Sequence, residues 1–217
     1  SGEKLAAWAN EILQSGMKTV NMLGCHDGIP LLDLKGLLPE ERILAMVETL
    51  KGRGGLVKDL HGAKNMYYQV NCTYYSALGA SDRKMLMARA LQLFMPGKPQ
   101  VWYLDLFAGK NDLEAVRRGG GAGHKEINRT NLSKEAMAAA LEKPVVQRQL
   151  ELLRLRNSCP AFGWDAKLTV ESPAPAQLTL RWEKEGHTAA LTMDLAAERF
   201  AIEVGENGKT EVVFQEG

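Results

Sequence analysis

The chain has 217 residues and a mass of 23.9 kDa, enough for one large domain or one and a half at about 100–200 residues per domain. Hydrophobic residues make up 45% and charged residues 24%, an ordinary globular composition that argues against disorder, collagen and coiled coil. The 27 basic residues nearly cancel the 26 acidic ones, and a net charge of +1 leaves no electrostatic footprint for nucleic acid or an anionic membrane.

The spacing predicts a helix over 5–15, with Leu5, Trp8, Ile12 and Leu13 on one side and Gly16 closing it. Residues 18–23 read as a strand, and Gly24-Cys25-His26-Asp27-Gly28 as the turn at its C-terminal end. A helix is expected over 39–50, with Pro39 in the first turn and Glu40 and Glu41 near its positive end. Ser81-Asp82 caps a helix running to Met95, where Pro96-Gly97 stops it. Residues 101–107, apolar except for Asp105, read as a strand buried on both faces, as in a parallel sheet. Residues 133–157 read as helical with a break at Pro144.

From Pro160 the texture changes to short alternating runs at 167–171, 178–183, 189–193, 199–204 and 211–214. Pro173, Pro175, Glu185-Gly186 and the segment 205–208 separate them, as expected for an antiparallel meander. The fold class expected is α/β followed by a small all-β domain, with a division near residue 157. Cys25, Cys72 and Cys159 are odd in number and lack CxxC spacing, which fits a reducing, cytoplasmic compartment without a disulfide framework or a metal site. No apolar run approaches the roughly 20 residues that span a bilayer, and Ser1-Gly2-Glu3-Lys4 reads as an interior cut rather than a natural beginning.

Loops carry the chemical information. Cys25-His26-Asp27 is a poor nucleophilic triad, because neighbours along an extended segment point to opposite faces. His26 and Asp27 instead suit the C-terminal face of a (β/α)₈ barrel, where a carboxylate and an imidazole grip sugar hydroxyls and steady a developing cation. The alternative is an aspartate that caps the turn before Gly28. The segment 67–71 (Tyr67, Tyr68, Gln69, Val70, Asn71) sets aromatics beside amides, either for sugar stacking or as ordinary loop packing. The glycine-rich segment 119–129 allows close approach to a ligand or a mobile cover, and His124, Lys125 and Arg129 can meet an anion. It lacks the GxxxxGK[ST] pattern of a nucleotide loop, and a plain solvated loop is the other reading.

The segment 21–29, Asn-Met-Leu-Gly-Cys-His-Asp-Gly-Ile, resembles the last conserved catalytic segment of the α-amylase clan, specifically its sucrose phosphorylase subfamily. The segments 68–71, 74–79, 99–101, 108–112 and 127–129 match in the same order. The resemblance implies the C-terminal part of a (β/α)₈ TIM barrel over 1–157 and a small antiparallel β domain over 158–217. It implies a retaining glucosyl-transferring phosphorylase, with no cofactor and inorganic phosphate as co-substrate. In such enzymes an aspartate attacks the anomeric carbon and a glutamate protonates the leaving oxygen, through oxocarbenium-like transition states. By motif match Asp27 is the third carboxylate, which stabilises that transition state. His26 lies beside it in the glucosyl subsite, and Tyr68 and Gln69 belong to the acceptor-side loop. Lys125 stands where the family carries an arginine that holds the glucosyl unit, although lysine lacks the planar fork. Lys64 stands where sucrose-specific members carry an acidic residue. With His124 and Lys125 it suggests an anionic acceptor, with glucosylglycerate phosphorylase favoured over the sucrose 6-phosphate and sucrose enzymes.

No aspartate or glutamate here matches the family's nucleophile or its acid, and Asp165 is wrongly placed to substitute. The resemblance therefore implies a C-terminal portion that is inactive alone, and a homodimer or pairing with the missing barrel half is expected. The competing expectation is a non-catalytic carbohydrate-binding or assembly module derived from that barrel.

Overall fold

A computed structural model describes residues 1–59 and 67–217. In chain order its elements are α1 (Gly2–Ser15), β1 (Val20–Asn21), β2 (Ile29–Pro30), a 3₁₀ turn (Leu32–Leu34), α2 (Glu40–Gly52), β3 (Leu56–Asp59) and β4 (Tyr67–Asn71). There follow α3 (Tyr74–Ala77), α4 (Asp82–Phe94), β5 (Lys98–Pro99), α5 (Tyr103–Leu106), α6 (Leu113–Arg118), a 3₁₀ segment (Gly120–Asn128), α7 (Lys134–Leu141) and α8 (Pro144–Ser158). Strands β6 (Lys167–Glu171), β7 (Gln177–Lys184), β8 (His187–Asp194), β9 (Arg199–Glu206) and β10 (Lys209–Glu216) complete the chain. The result is a mixed α/β fold in two compact units.

The first unit comprises 1–21, 86–100 and 147–217. Its five-stranded antiparallel sheet has the order β10-β9-β8-β7-β6, the meander expected from alternation. Leu178, Leu180 and Trp182 of β7, Leu191 and Met193 of β8, and Phe200 and Ile202 of β9 are buried, while intervening residues are more exposed. Each fully buried large apolar side chain contributes about 1.5–3 kcal/mol. Two hairpins turn on residue pairs with positive φ, Glu185-Gly186 at 50° and 81° and Asn207-Gly208 at 50° and 84°. In the same unit Ser1 caps α1 by accepting from the Lys4 amide, and Gly16 ends it in the left-handed conformation at φ 69°. β1 and β5 pair in parallel, Val20 with Lys98 and Asn21 with Pro99.

The second unit comprises 22–85 and 101–146. Its antiparallel sheet has the order β2-β4-β3, with Ile29 opposite Val70 and Leu56 opposite Asn71. Leu31, Val47, Leu50, Val70, Cys72 and Ala77 form its core.

Among the described residues the parallel pairing is confined to β1 and β5, and no closed barrel is present. Four expectations are corrected. The strand expected over 18–23 is two residues long. The strand expected over 101–107 is instead an extended Trp102 followed by the short helix α5, with Leu104 and Asp105 buried. A short apolar run does not discriminate strand from helix, and Asp105 tips it by accepting from the Tyr74 amide at 3.1 Å. Residues 67–71 form β4 rather than a loop, because aromatic and β-branched residues favour a half-buried pleated strand. The glycine-rich segment is largely ordered as the 3₁₀ helix 120–128, with Ile127 and Asn128 fully buried.

Candidate active site

The site candidates gather in the second unit around the turn 25–28. The Gly28 amide donates to the Cys25 carbonyl at 3.1 Å, and the Asp27 amide points at the Cys25 sulfur at 3.4 Å. Gly28 has φ +95°, and a Cβ there would lie 2.2 Å from the Val70 carbonyl oxygen. Only glycine lets this turn lie flat against β4. Gly24 is similarly tight, because a Cβ would come within 2.8 Å of the buried Asp105 carboxylate.

The turn presents Asp27 to three nitrogen groups. Lys125 Nζ lies 3.3 Å and Arg129 Nη2 3.2 Å from Oδ1, and His26 Nε2 lies 3.1 Å from Oδ2. Burial alone pushes the Asp27 carboxyl up, but the hydrogen bond from Lys125 and the charges of His26, Lys125 and Arg129 outweigh it and hold it below the ordinary carboxylate range. The Asp27 side chain keeps 42% of its surface exposed, so it faces an open mouth rather than a sealed core. The His26 ring lies 6.0 Å from that of Trp102, tilted by 51°.

One carboxylate facing a lysine and an arginine leaves the site net positive, which suits an anion. Cys25, His26 and Asp27 also bring three possible metal ligands within 4.8 Å of one another. Lys125 and Arg129 repel a second cation there, so the charge favours an anionic ligand over a metal.

The sequence-derived residues divide as follows. His26 and Lys125 both reach Asp27. Gln69 is 4% exposed on β4, opposite Pro30 and Lys58. His124 is half-buried in the 3₁₀ segment, next to Lys125. Of Tyr68 only the backbone is described, and Lys64 lies outside the described residues. Arg129, expected to meet an anion, grips the Asp27 carboxylate and donates to the His26 carbonyl, the latter at 3.0 Å. Trp102, Asn71 and Asn128 were missed. Asn71 Nδ2 donates to the Asp27 carbonyl at 2.8 Å, and Asn128 Nδ2 to the Cys25 carbonyl at 2.6 Å. The motifs 68–71 and 127–129 contained both asparagines, but nothing in their spacing tied them to the turn.

No protein-family profile matches the chain. It is 53% identical over 222 aligned residues to a sucrose 6(F)-phosphate phosphorylase of Ilumatobacter coccineus, covering 98% of this chain and 42% of that protein. A glucosylglycerate phosphorylase of Escherichia coli is 31% identical, over 78% of this chain and 33% of that protein. The fold matches the crystal structure of sucrose 6F-phosphate phosphorylase from Thermoanaerobacter thermosaccharolyticum with a TM-score of 0.86 at 33% identity, covering 98% of this chain and 45% of that one. The chain thus spans about two fifths of the length of the curated relatives it matches.

Proposed function

We propose that this chain, which belongs to the sucrose phosphorylase subfamily of the α-amylase clan, supplies the third carboxylate and the anion-attracting wall of a retaining glucosyl phosphorylase active site. The observation that carries the reading is the grip of His26, Lys125 and Arg129 on the exposed Asp27 carboxylate. On this reading β1 and β5 are neighbouring strands of a (β/α)₈ barrel, and residues 1–157 form its last units ahead of the antiparallel domain 158–217. The nucleophilic aspartate and the acidic glutamate come from polypeptide outside these 217 residues. The chain alone is therefore expected to release no α-glucose 1-phosphate.

In the first displacement the anomeric carbon becomes cationic as the leaving oxygen is protonated. Asp27 stays ionised, because its neighbours hold its pKa low. Its charge interacts more strongly with the transition state than with the neutral glucoside, and only such a difference accelerates the step. His26, its ring tilted beside that of Trp102, orients the ring hydroxyls. In the second displacement phosphate attacks the anomeric carbon of the glucosyl–aspartate ester, breaks its bond to the aspartate and leaves as α-glucose 1-phosphate, its approach favoured by the net positive charge of the site.

The acceptor we favour is fructose 6-phosphate rather than glycerate, in line with the 53% relative and with the excess positive charge. A charge-assisted hydrogen bond of about 1.5–3 kcal/mol gives such an anion roughly ten- to more than a hundredfold over neutral fructose. The test replaces the matching stretch of the I. coccineus protein with this chain. The chimera is then run backwards from α-glucose 1-phosphate with fructose 6-phosphate, fructose and glycerate in competition. Fructose 6-phosphate should be consumed first. Preference for fructose would remove the anionic-acceptor reading, and a folded chimera with no transfer at all would remove the phosphorylase reading.

A further inference from the structure

The carbonyls of Cys25, His26 and Asp27 each accept a hydrogen bond from a side chain 44 to 103 positions away, namely Asn128, Arg129 and Asn71 in that order. Asn71 reaches in from the end of β4 and Asn128 from the end of the 3₁₀ segment, so the turn is held from two separate elements. Both asparagines are completely buried. Each spends its amino group on the turn, while its Oδ1 has no hydrogen-bond partner among the described residues. Burying a carboxamide with one polar atom unpaired is a costly way to fill space that an apolar side chain would fill more favourably. A packing role therefore explains neither residue, whereas aiming the turn explains both.

We propose that Asn71 and Asn128 are positioning residues, whose buried carboxamides act with Arg129 as a clamp on three consecutive carbonyls and set the direction in which the Asp27 carboxylate leaves the turn. The catalytic meaning of the clamp rests on the reading of Asp27 as the transition-state carboxylate. The clamp itself is a property of the turn. Its two ends differ in what they secure. Asn71 holds the carbonyl of Asp27 itself, next to Gly28, where the chain touches β4. Asn128 holds the carbonyl of Cys25 and is directly followed by Arg129, which meets both the His26 carbonyl and the Asp27 carboxylate. Docking of 128–129 thus brings the backbone anchor and a cation for Asp27 to the turn in one step.

The test follows the Asp27 carboxyl by carbon NMR through an acid titration of the 217-residue chain, unmodified and as Asn71→Ala and Asn128→Ala. Loss of either anchor should shift the Asp27 midpoint upward toward the ordinary carboxylate range, as the turn drifts from Lys125 and Arg129. Asp112, a carboxylate whose pKa is lowered chiefly by the Ala115 amide, should keep its midpoint and report that the fold persists. An Asp27 midpoint unchanged in both folded variants would overturn the clamp, because a residue that only packs moves stability and not this titration. If both variants unfold, the unmodified chain still decides. The carboxamide protons of Asn71 and Asn128 should exchange with deuterium far more slowly than those of an exposed asparagine, and exchange at the exposed rate would equally overturn it. A clamp that fails leaves the phosphorylase reading standing, and a chimera that makes no α-glucose 1-phosphate leaves the clamp standing.

Discussion

Replacing Lys125 by alanine should separate stability from function. The ammonium lies 3.3 Å from Asp27 Oδ1, with the two side chains 40% and 42% exposed. At that distance two unit charges attract by about 1.3 kcal/mol in bulk water and about 5 kcal/mol at an effective dielectric of 20. Exposure of more than a third on both sides places the pair near the aqueous limit, where exposed ion pairs are worth about 0.2–1 kcal/mol. Lys125→Ala should therefore cost no more than about 1 kcal/mol of unfolding free energy at pH 7. The pH dependence has a definite sign. The Asp27 carboxyl is depressed below its ordinary value of 3.8 in the folded chain, so its contribution is complete above that value and disappears as the pH falls through the folded pKa. The stability gap between parent and variant should close below pH 3.8 and shrink in 1 M salt, where the Debye length is about 3 Å. Urea unfolding at pH 7, 5 and 3 measures it. A loss well above 2 kcal/mol, or a gap that persists unchanged at pH 3, would show that Lys125 is a packing element and refute the electrostatic account. In the active chimera the same substitution should weaken an anionic ligand by roughly tenfold or more, since a charge-assisted hydrogen bond is worth about 1.5–3 kcal/mol.

Gly28→Ala should lower the unfolding free energy by at least about 1–3 kcal/mol, since φ +95° and a Cβ 2.2 Å from the Val70 carbonyl oxygen both oppose a side chain; equal denaturation midpoints would contradict the turn geometry. Cys72 is buried, and its thiol is pushed up to about 12 by burial and the nearby Asp105, so it should stay unmodified by iodoacetamide at pH 8 in the folded chain. The partly exposed Cys25 and Cys159 should be labelled under the same conditions, and mass mapping that finds Cys72 labelled first would count against the packing of the second unit.

Much of the fold was legible because its signals are local. Gly16, Ser81 and Pro144 mark helix ends through their own backbone chemistry, and alternation from 167 onward translated directly into five strands in meander order. The segment 101–107 was misread because its pattern is short and apolar, and what makes it a helix is partly the Tyr74 amide, 31 positions from Asp105. The site was legible in part for the same reason. His26 and Asp27 sit side by side in the chain, and the family resemblance carried Lys125. Asn71, Asn128 and Trp102 act on the turn or its histidine from distant positions. A polar residue bonded to a remote backbone carbonyl has no periodicity or spacing that distinguishes it from a loop residue. Arg129 shows the limit from the other side: its charge marked it as an anion contact, and only the fold makes the anion Asp27.

The central claim is that Asp27 stabilises a glucosyl transition state, and its most direct test is the turnover number of the chimera with Asp27 intact and as Asp27→Asn. Release of α-glucose 1-phosphate from sucrose 6-phosphate and phosphate is the readout, with folding of both proteins checked by circular dichroism. Asparagine keeps the shape of the side chain and removes the charge that meets the cationic anomeric carbon, so kcat should fall by a factor on the order of 100–1,000 or more. A folded Asp27→Asn chimera that keeps a near-parental kcat would reduce Asp27 to a residue that caps its own turn.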